Sequence, residues 1–125
     1  MKKVISTKNA PAAIGPYSQA IEVSNMIFVS GQIPVNPETG KIEAEGITGQ
    51  TEQSFANLKA ILAEAGLTLE NVVKTTVFLA DMSLFADMND VYASQFIGDF
   101  PARSALAVKT LPKGALVEIE AIAVR

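Results

Sequence analysis

TGQTEQSFANLKAILAEAGLTLENVVKTTVFL, Thr48 to Leu79, decides the fold. Phe55, Leu58, Ile61, Leu62 and Ala65 recur at three- and four-residue spacing, the period of one helix face, while Glu52, Asn57, Lys59 and Glu64 fall largely elsewhere. The spacing predicts a helix over 48–65. Gly66 supplies its stop, because glycine takes left-handed backbone without a Cβ penalty. Val72 to Leu79 is rich in Val and Thr and reads as a strand. Alternation puts Val73, Thr75, Val77 and Leu79 on one side and Val72, Lys74, Thr76 and Phe78 on the other. One side suits a helix. The other is only partly polar and needs a second cover, which two helices cannot provide. Self-association through that face follows.

Outward from this unit, Lys3 to Ser6, Tyr17 to Val23 and Met26 to Ser30 read as strands, with Ser24-Asn25 a tight turn. Residues 9–16 form a loop broken by Pro11, Gly15 and Pro16, and 31–46 a long loop with a hairpin-like excursion over Asn36 to Lys41. Ser83 is placed to cap a second helix whose buried face carries Phe85, Met88, Tyr92 and Phe96. Gly98 to Pro101 ends it, and strands follow at about Ala102 to Val108 and Leu116 to Val124. The order β-β-β-α-β-α-β-β predicts an α+β fold: a mixed sheet with two helices on one face. The 125 residues fit one domain, 1–125.

With 49% hydrophobic and 18% charged residues, the chain can build a core and is too apolar for disorder. Its apolar runs, such as Met26 to Val29, fall far short of the roughly 20 residues a membrane helix needs. Lys2-Lys3 is followed by no apolar signal segment, so a cytoplasmic protein without membrane contact is expected. The formal charge is −3 and lysines are scattered, which argues against a nucleic-acid partner. Cysteine and histidine are both absent. Thiolate chemistry, disulfides and the commonest general base and metal ligand are therefore excluded. No phosphate loop, dinucleotide fingerprint or nucleophile elbow occurs.

Two charges stand out near the C-terminus. Arg103 shares a strand face with Ala105 and Ala107, while Leu106 and Val108 on the other face are expected in a core. A guanidinium beside small side chains suits a carboxylate pocket, since it forms two parallel hydrogen bonds to a carboxylate. A structural ion pair is the alternative. Glu120 lies with Glu118, Ile122 and Val124 on a strand whose two faces are mainly apolar, so it is expected to be partly buried. It either pairs with Arg103 or orients a water. Tyr17, after the Gly15-Pro16 turn, can donate to a ligand or pack at a core edge. Ser30-Gly31 ends a buried strand where backbone can approach a ligand or simply turn. Asn89, in mid-helix, hints at a side-chain hydrogen bond.

Pro101-Ala102-Arg103-Ser104 with Ile119-Glu120, Ala10 to Ala20 (APAAIGPYSQA) and Phe28 to Pro34 (FVSGQIP) agree in order and spacing with one family. The chain resembles the RidA (YjgF) family of imine deaminases over essentially its whole length. The resemblance implies a chorismate-mutase-like subunit in a homotrimer with a barrel-like centre and ligand clefts between subunits. It implies hydrolysis of 2-iminobutanoate and 2-iminopropanoate, released by pyridoxal-phosphate dehydratases, to 2-oxoacids and ammonia. No cofactor and no metal are implied. Arg103 would clamp the carboxylate, Glu120 would position or activate the water, and Tyr17 would order the site. Gly31, with Ser30 beside it, would touch substrate through its backbone, and Asn89 matches a site-associated asparagine. Many members have Cys where Ala105 stands; a backbone contact there survives the change. A non-enzymatic small-carboxylate sensor or chaperone-like protein is the alternative, and a ribonuclease or translation inhibitor the third.

Overall fold

The helix predicted from Thr48 forms as α1, Ile47–Glu64, in the computed structural model, which describes residues 1–125. Phe55, Leu58, Ile61 and Leu62 on its stripe are each 0% exposed. Burying side chains of this size contributes about 1.5–3 kcal/mol apiece. Gly66, at φ +76°, carries the left-handed turn that ends it.

Six strands, β1 (Lys3–Ile5), β2 (Ala20–Val23), β3 (Met26–Gln32), β4 (Val72–Leu79), β5 (Ala102–Ala107) and β6 (Val117–Val124), form one sheet ordered β1-β2-β3-β6-β4-β5. Only β4 and β5 run parallel, joined by the crossover through α2 (Phe85–Gln95). The element order and the mixed sheet agree with the sequence reading. Both helices lie on one face. Beneath them sit Ile27 and Val29 of β3, Thr75, Val77 and Leu79 of β4, and Val117, Ile119, Ala121 and Ala123 of β6, all buried. The opposite face has no cover in the single chain. Phe28 is 40% and Leu106 42% exposed there, with Lys74, Thr76, Glu118 and Glu120 among them.

Several local expectations are corrected. Val73 is exposed and Val72 is buried, because a register shift between Val72 and Lys74 moves the start of β4 by one residue. Leu106 and Val108 are not core residues: β5 is an edge strand whose Leu106 side turns to the open face. Asp81, not Ser83, makes the cap before α2, accepting the Ser83 N–H at 2.8 Å and starting a short 3-10 turn over Met82–Leu84. Asn57 does not face outward on α1. It is buried, and its amide donates to the carbonyls of Ile33 and Val35 at 3.2 and 2.9 Å, pinning the long loop to the helix. Tyr17 to Gln19 precede β2 rather than join it. Gln19 is buried there and its side chain donates to the carbonyls of Thr7, Ala10 and Pro11. β3 runs on past Ser30 to Gln32 through a second register shift.

Candidate active site

Arg103 lies on the helix side of β5, half-buried, in register with Thr75 of β4. Its Nη1 donates to Asn89 Oδ1 at 2.7 Å. Its guanidinium carbon sits 4.6 Å from the centre of the Tyr92 ring and 5.5 Å from that of Phe85. Tyr92 and Phe85 escaped the sequence reading as site residues because their spacing with Met88 and Phe96 marks a core face equally well. The phenol of Tyr92 is buried with its hydroxyl 2.7 Å from Thr75 Oγ1. Burial pushes that hydroxyl above the usual tyrosine range, against the smaller opposing effects of Thr75 and Arg103, so the ring stays neutral. The one salt bridge in the chain joins Arg125 to Glu22. Arg103 is thus held by two rings and an amide, with no carboxylate partner, and several of its N–H donors remain free. Ala105, two residues on, lies half-buried on the same face and keeps the space beside it clear.

A second group gathers where β3 meets β6. The register of the two strands slips between Val29 and Gln32, and Ser30-Gly31 occupy the irregularity. The Glu118 carboxylate lies so close over Gly31 that any Cβ there would collide with it. Burial pushes the Glu118 carboxyl above the usual carboxylate range, and the neighbouring Glu120 charge pushes it the same way. Ser30 N–H donates to Gln19 O at 2.9 Å and Ser30 Oγ to Ser18 O at 2.6 Å. These bonds hold the backbone of Ser18 and Gln19 against Ser30, next to Gly31, and the Tyr17 residue just before them is 52% exposed. Glu120 is exposed, contrary to expectation. It lines a shallow hollow of about 160 Å³ on the open face with Phe28, Lys74, Thr76 and Ile122. The sequence offered a signal for Glu118: it shares Glu120's face and has equally apolar neighbours. Nothing in the alternation could rank the two, because the deciding contact comes from β3.

The single chain does not bring the two groups together. Arg103 is on the helix side of the sheet and both glutamates are on the open side, so Arg103 and Glu120 form no ion pair. Two strand spacings separate β5 from β6, which carries the glutamates, and three separate it from β3, roughly 10 and 14 Å across the sheet. A larger hollow, about 730 Å³, lies elsewhere, between the C-terminal ends of α1 and α2 beside Lys59, Leu67, Phe96 and Asp99. No three acidic side chains converge as a metal site requires, and no helix is long and apolar enough to cross a membrane.

Residues 7–125 match the family model described as Endoribonuclease L-PSP. A 2-iminobutanoate/2-iminopropanoate deaminase of Escherichia coli is 52% identical, the alignment covering 100% of this chain and 99% of that protein. The crystal structure of the Rid-family protein YyfA from Yersinia pestis superposes with a TM-score of 0.97 at 52% identity over 100% of both chains. That of E. coli TdcF with bound serine does so with a TM-score of 0.94 at 47% identity, over 98% of each chain. With a family model spanning nearly the whole sequence and relatives above half identity end to end, the chain belongs to the RidA (YjgF) family.

Proposed function

We propose that this protein hydrolyses small 2-imino acids, such as 2-iminobutanoate and 2-iminopropanoate, to the 2-oxoacid and ammonia. One observation carries the reading: Arg103 is a half-buried cation held only by neutral groups, with donors left for a carboxylate. The name of the E. coli relative supports the imine as the rest of the substrate.

The iminium carbon is already electrophilic, so little is asked of the protein beyond orientation and water delivery. Arg103 takes the carboxylate through two parallel hydrogen bonds, with Asn89 fixing its outer nitrogen. Glu118 accepts a proton from water as the water oxygen attacks the imine carbon. Glu118 returns that proton to the amine nitrogen of the resulting carbinolamine. The C–N bond breaks as the hydroxyl proton passes to Glu118, and the C=O group and ammonia form, the ammonia leaving with that last proton as ammonium. Glu118 suits this step better than Glu120. It is partly buried, its proton affinity is raised by that burial, and its carboxylate lies against Gly31. The family resemblance adds Tyr17 to the site, and Ser30 acts through the bonds that hold the Ser18-Gln19 segment, next to Tyr17, in place.

A three- or four-carbon acid cannot reach from Arg103 to Glu118 around the sheet of one chain. The site is therefore shared between subunits: Arg103, Asn89 and Ala105 from one, Tyr17, Gly31 and Glu118 from the next. A homotrimer packed through the open faces supplies this arrangement, and monomers at working concentration in sedimentation would contradict it. We place the activity in the cytoplasm, where pyridoxal-phosphate dehydratases release such imines, with no nucleic-acid partner.

The deciding experiment generates 2-iminobutanoate from threonine with a dehydratase and follows ammonia release. Acceleration over the spontaneous rate is expected; hydrolysis at the spontaneous rate overturns the reading. The serine bound in E. coli TdcF favours a second reading, small-acid binding without turnover. Calorimetric binding of 2-oxobutanoate with no acceleration would establish it. Cleavage of RNA by the purified chain, matching the description of the family model, would favour the third.

Gly31→Ala tests the contact with Glu118. The new methyl displaces a flexible carboxylate rather than backbone, so the chain should fold with a near-normal melting temperature. The rate should fall about tenfold or more, because a catalytic group moved by an ångström loses its near-attack geometry. An unchanged rate would show that Glu118 has no catalytic task.

A further inference from the structure

One hydrogen bond to Asn89 does not fix the plane of the Arg103 guanidinium; rotation about that contact remains. The two rings can fix it. Tyr92 is the nearer, at 4.6 Å against 5.5 Å for Phe85, and it is the more firmly held. It is 4% exposed, meets Phe55 edge-on at 5.5 Å and Phe96 at 5.0 Å, and its hydroxyl is bound by Thr75. Thr75 in turn is the β4 residue paired with Arg103. The contacts close a circuit: backbone of Arg103, Thr75, hydroxyl of Tyr92, ring of Tyr92, guanidinium of Arg103.

Resting on the reading of Arg103 as the carboxylate clamp, we infer that Tyr92, anchored by Thr75, is a positioning residue that sets the plane in which Arg103 meets its substrate. The ring attracts the cation through its π face and keeps water off one side of it. That effect leaves the N–H edge free, which a carboxylate partner would not. A buried phenol must find a hydrogen-bond partner, and Thr75 Oγ1, itself 0% exposed, is the one it has. The position of the ring therefore depends on Thr75. Removing that partner alone strands the phenol, whereas replacing both by apolar groups of like shape relieves it.

Four variants and a reference test this, each read as KM and kcat for 2-iminobutanoate generated in the cuvette. Tyr92→Leu removes the platform and should raise KM about tenfold with kcat changed less than about threefold. Tyr92→Phe keeps the ring and should stay within about threefold of wild type in both. Thr75→Val should raise KM severalfold, and adding Tyr92→Phe to it should bring KM back. A purely structural Tyr92 would instead lower the melting temperature and the active fraction while KM stayed fixed. Arg103→Ala is the reference. If it loses substrate binding while Tyr92→Leu and Thr75→Val keep the wild-type KM, this inference falls and the clamp stands. If Arg103→Ala itself keeps the wild-type KM, the clamp falls first. Should Tyr92→Leu not fold, the Thr75→Val pair decides: failure of the double variant to restore KM overturns the inference.

Discussion

Arg103→Ala should leave a folded protein with normal assembly and reduce kcat/KM for 2-iminobutanoate by about thirtyfold or more. The estimate follows from the roughly 2–5 kcal/mol lost when one partner of a desolvated, hydrogen-bonded charge pair is removed. The fold should survive because Arg103 lies on an edge strand, is only partly buried and neutralises no acid of its own chain. Arg103→Lys should recover little of the loss. An ammonium cannot give two parallel bonds, and it does not lie flat against Tyr92 and Phe85 as a guanidinium does. Steady-state ammonia release and a melting curve for each variant check both statements. An Arg103→Ala protein that cleared the imine at the wild-type rate would remove the basis of the proposed function.

Glu118→Gln should cost more in kcat than in KM, by a factor of about 10²–10⁴, the range for loss of a positioned general base. Glu120→Gln, at an exposed position, should change kcat less than about threefold. The reverse ranking would return the water to Glu120. The raised proton affinity of Glu118 makes two pH predictions. The base works ionised, so the wild-type rate should fall on acidification at a pH above the ordinary carboxylate range, and the fall should be absent from the residual activity of Glu118→Gln. The stability term has the opposite sense. A carboxyl that holds its proton more tightly in the folded than in the unfolded chain contributes stability at low pH, and that contribution is lost as pH rises through its folded pKa. Glu118→Gln should therefore melt higher than wild type at neutral pH and not at pH 4. A site that trades stability for chemistry shows this signature.

How far the sequence could lead depends on the range of the interactions. The period of Phe55, Leu58, Ile61 and Leu62 dictated α1, because it depends on neighbours a few positions away, whereas alternation in β6 separated two mainly apolar faces without telling which is core. Val72 and Val73 exchanged sides because a register shift is set by the partner strand, which no local pattern records. Leu106 reads as core only if β5 has cover on both faces, and edge position is a property of the sheet. The site divides in the same way. Arg103 was visible as a cation among small residues, and the family resemblance gave it a task. Its true neighbours, Asn89, Phe85 and Tyr92, come from α2, and the Gly31 contact that singles out Glu118 comes from a strand about ninety residues earlier in the chain. Such pairings are made by the fold and leave no trace in spacing.

The placement of Arg103 and Glu118 on opposite faces of one sheet has a genetic consequence. If each cleft takes its arginine from one chain and its glutamate from the next, the two defects are carried by different partners and can complement. Arg103→Ala and Glu118→Gln chains, each nearly inactive alone, should regain activity when unfolded together and reassembled. In a trimer with random mixing, three-quarters of the assemblies contain both chains and each of these has one intact cleft in three. About a quarter of the wild-type rate should therefore return. Two dead proteins would make one living enzyme, an outcome closed to any fold that keeps its whole site within a single chain.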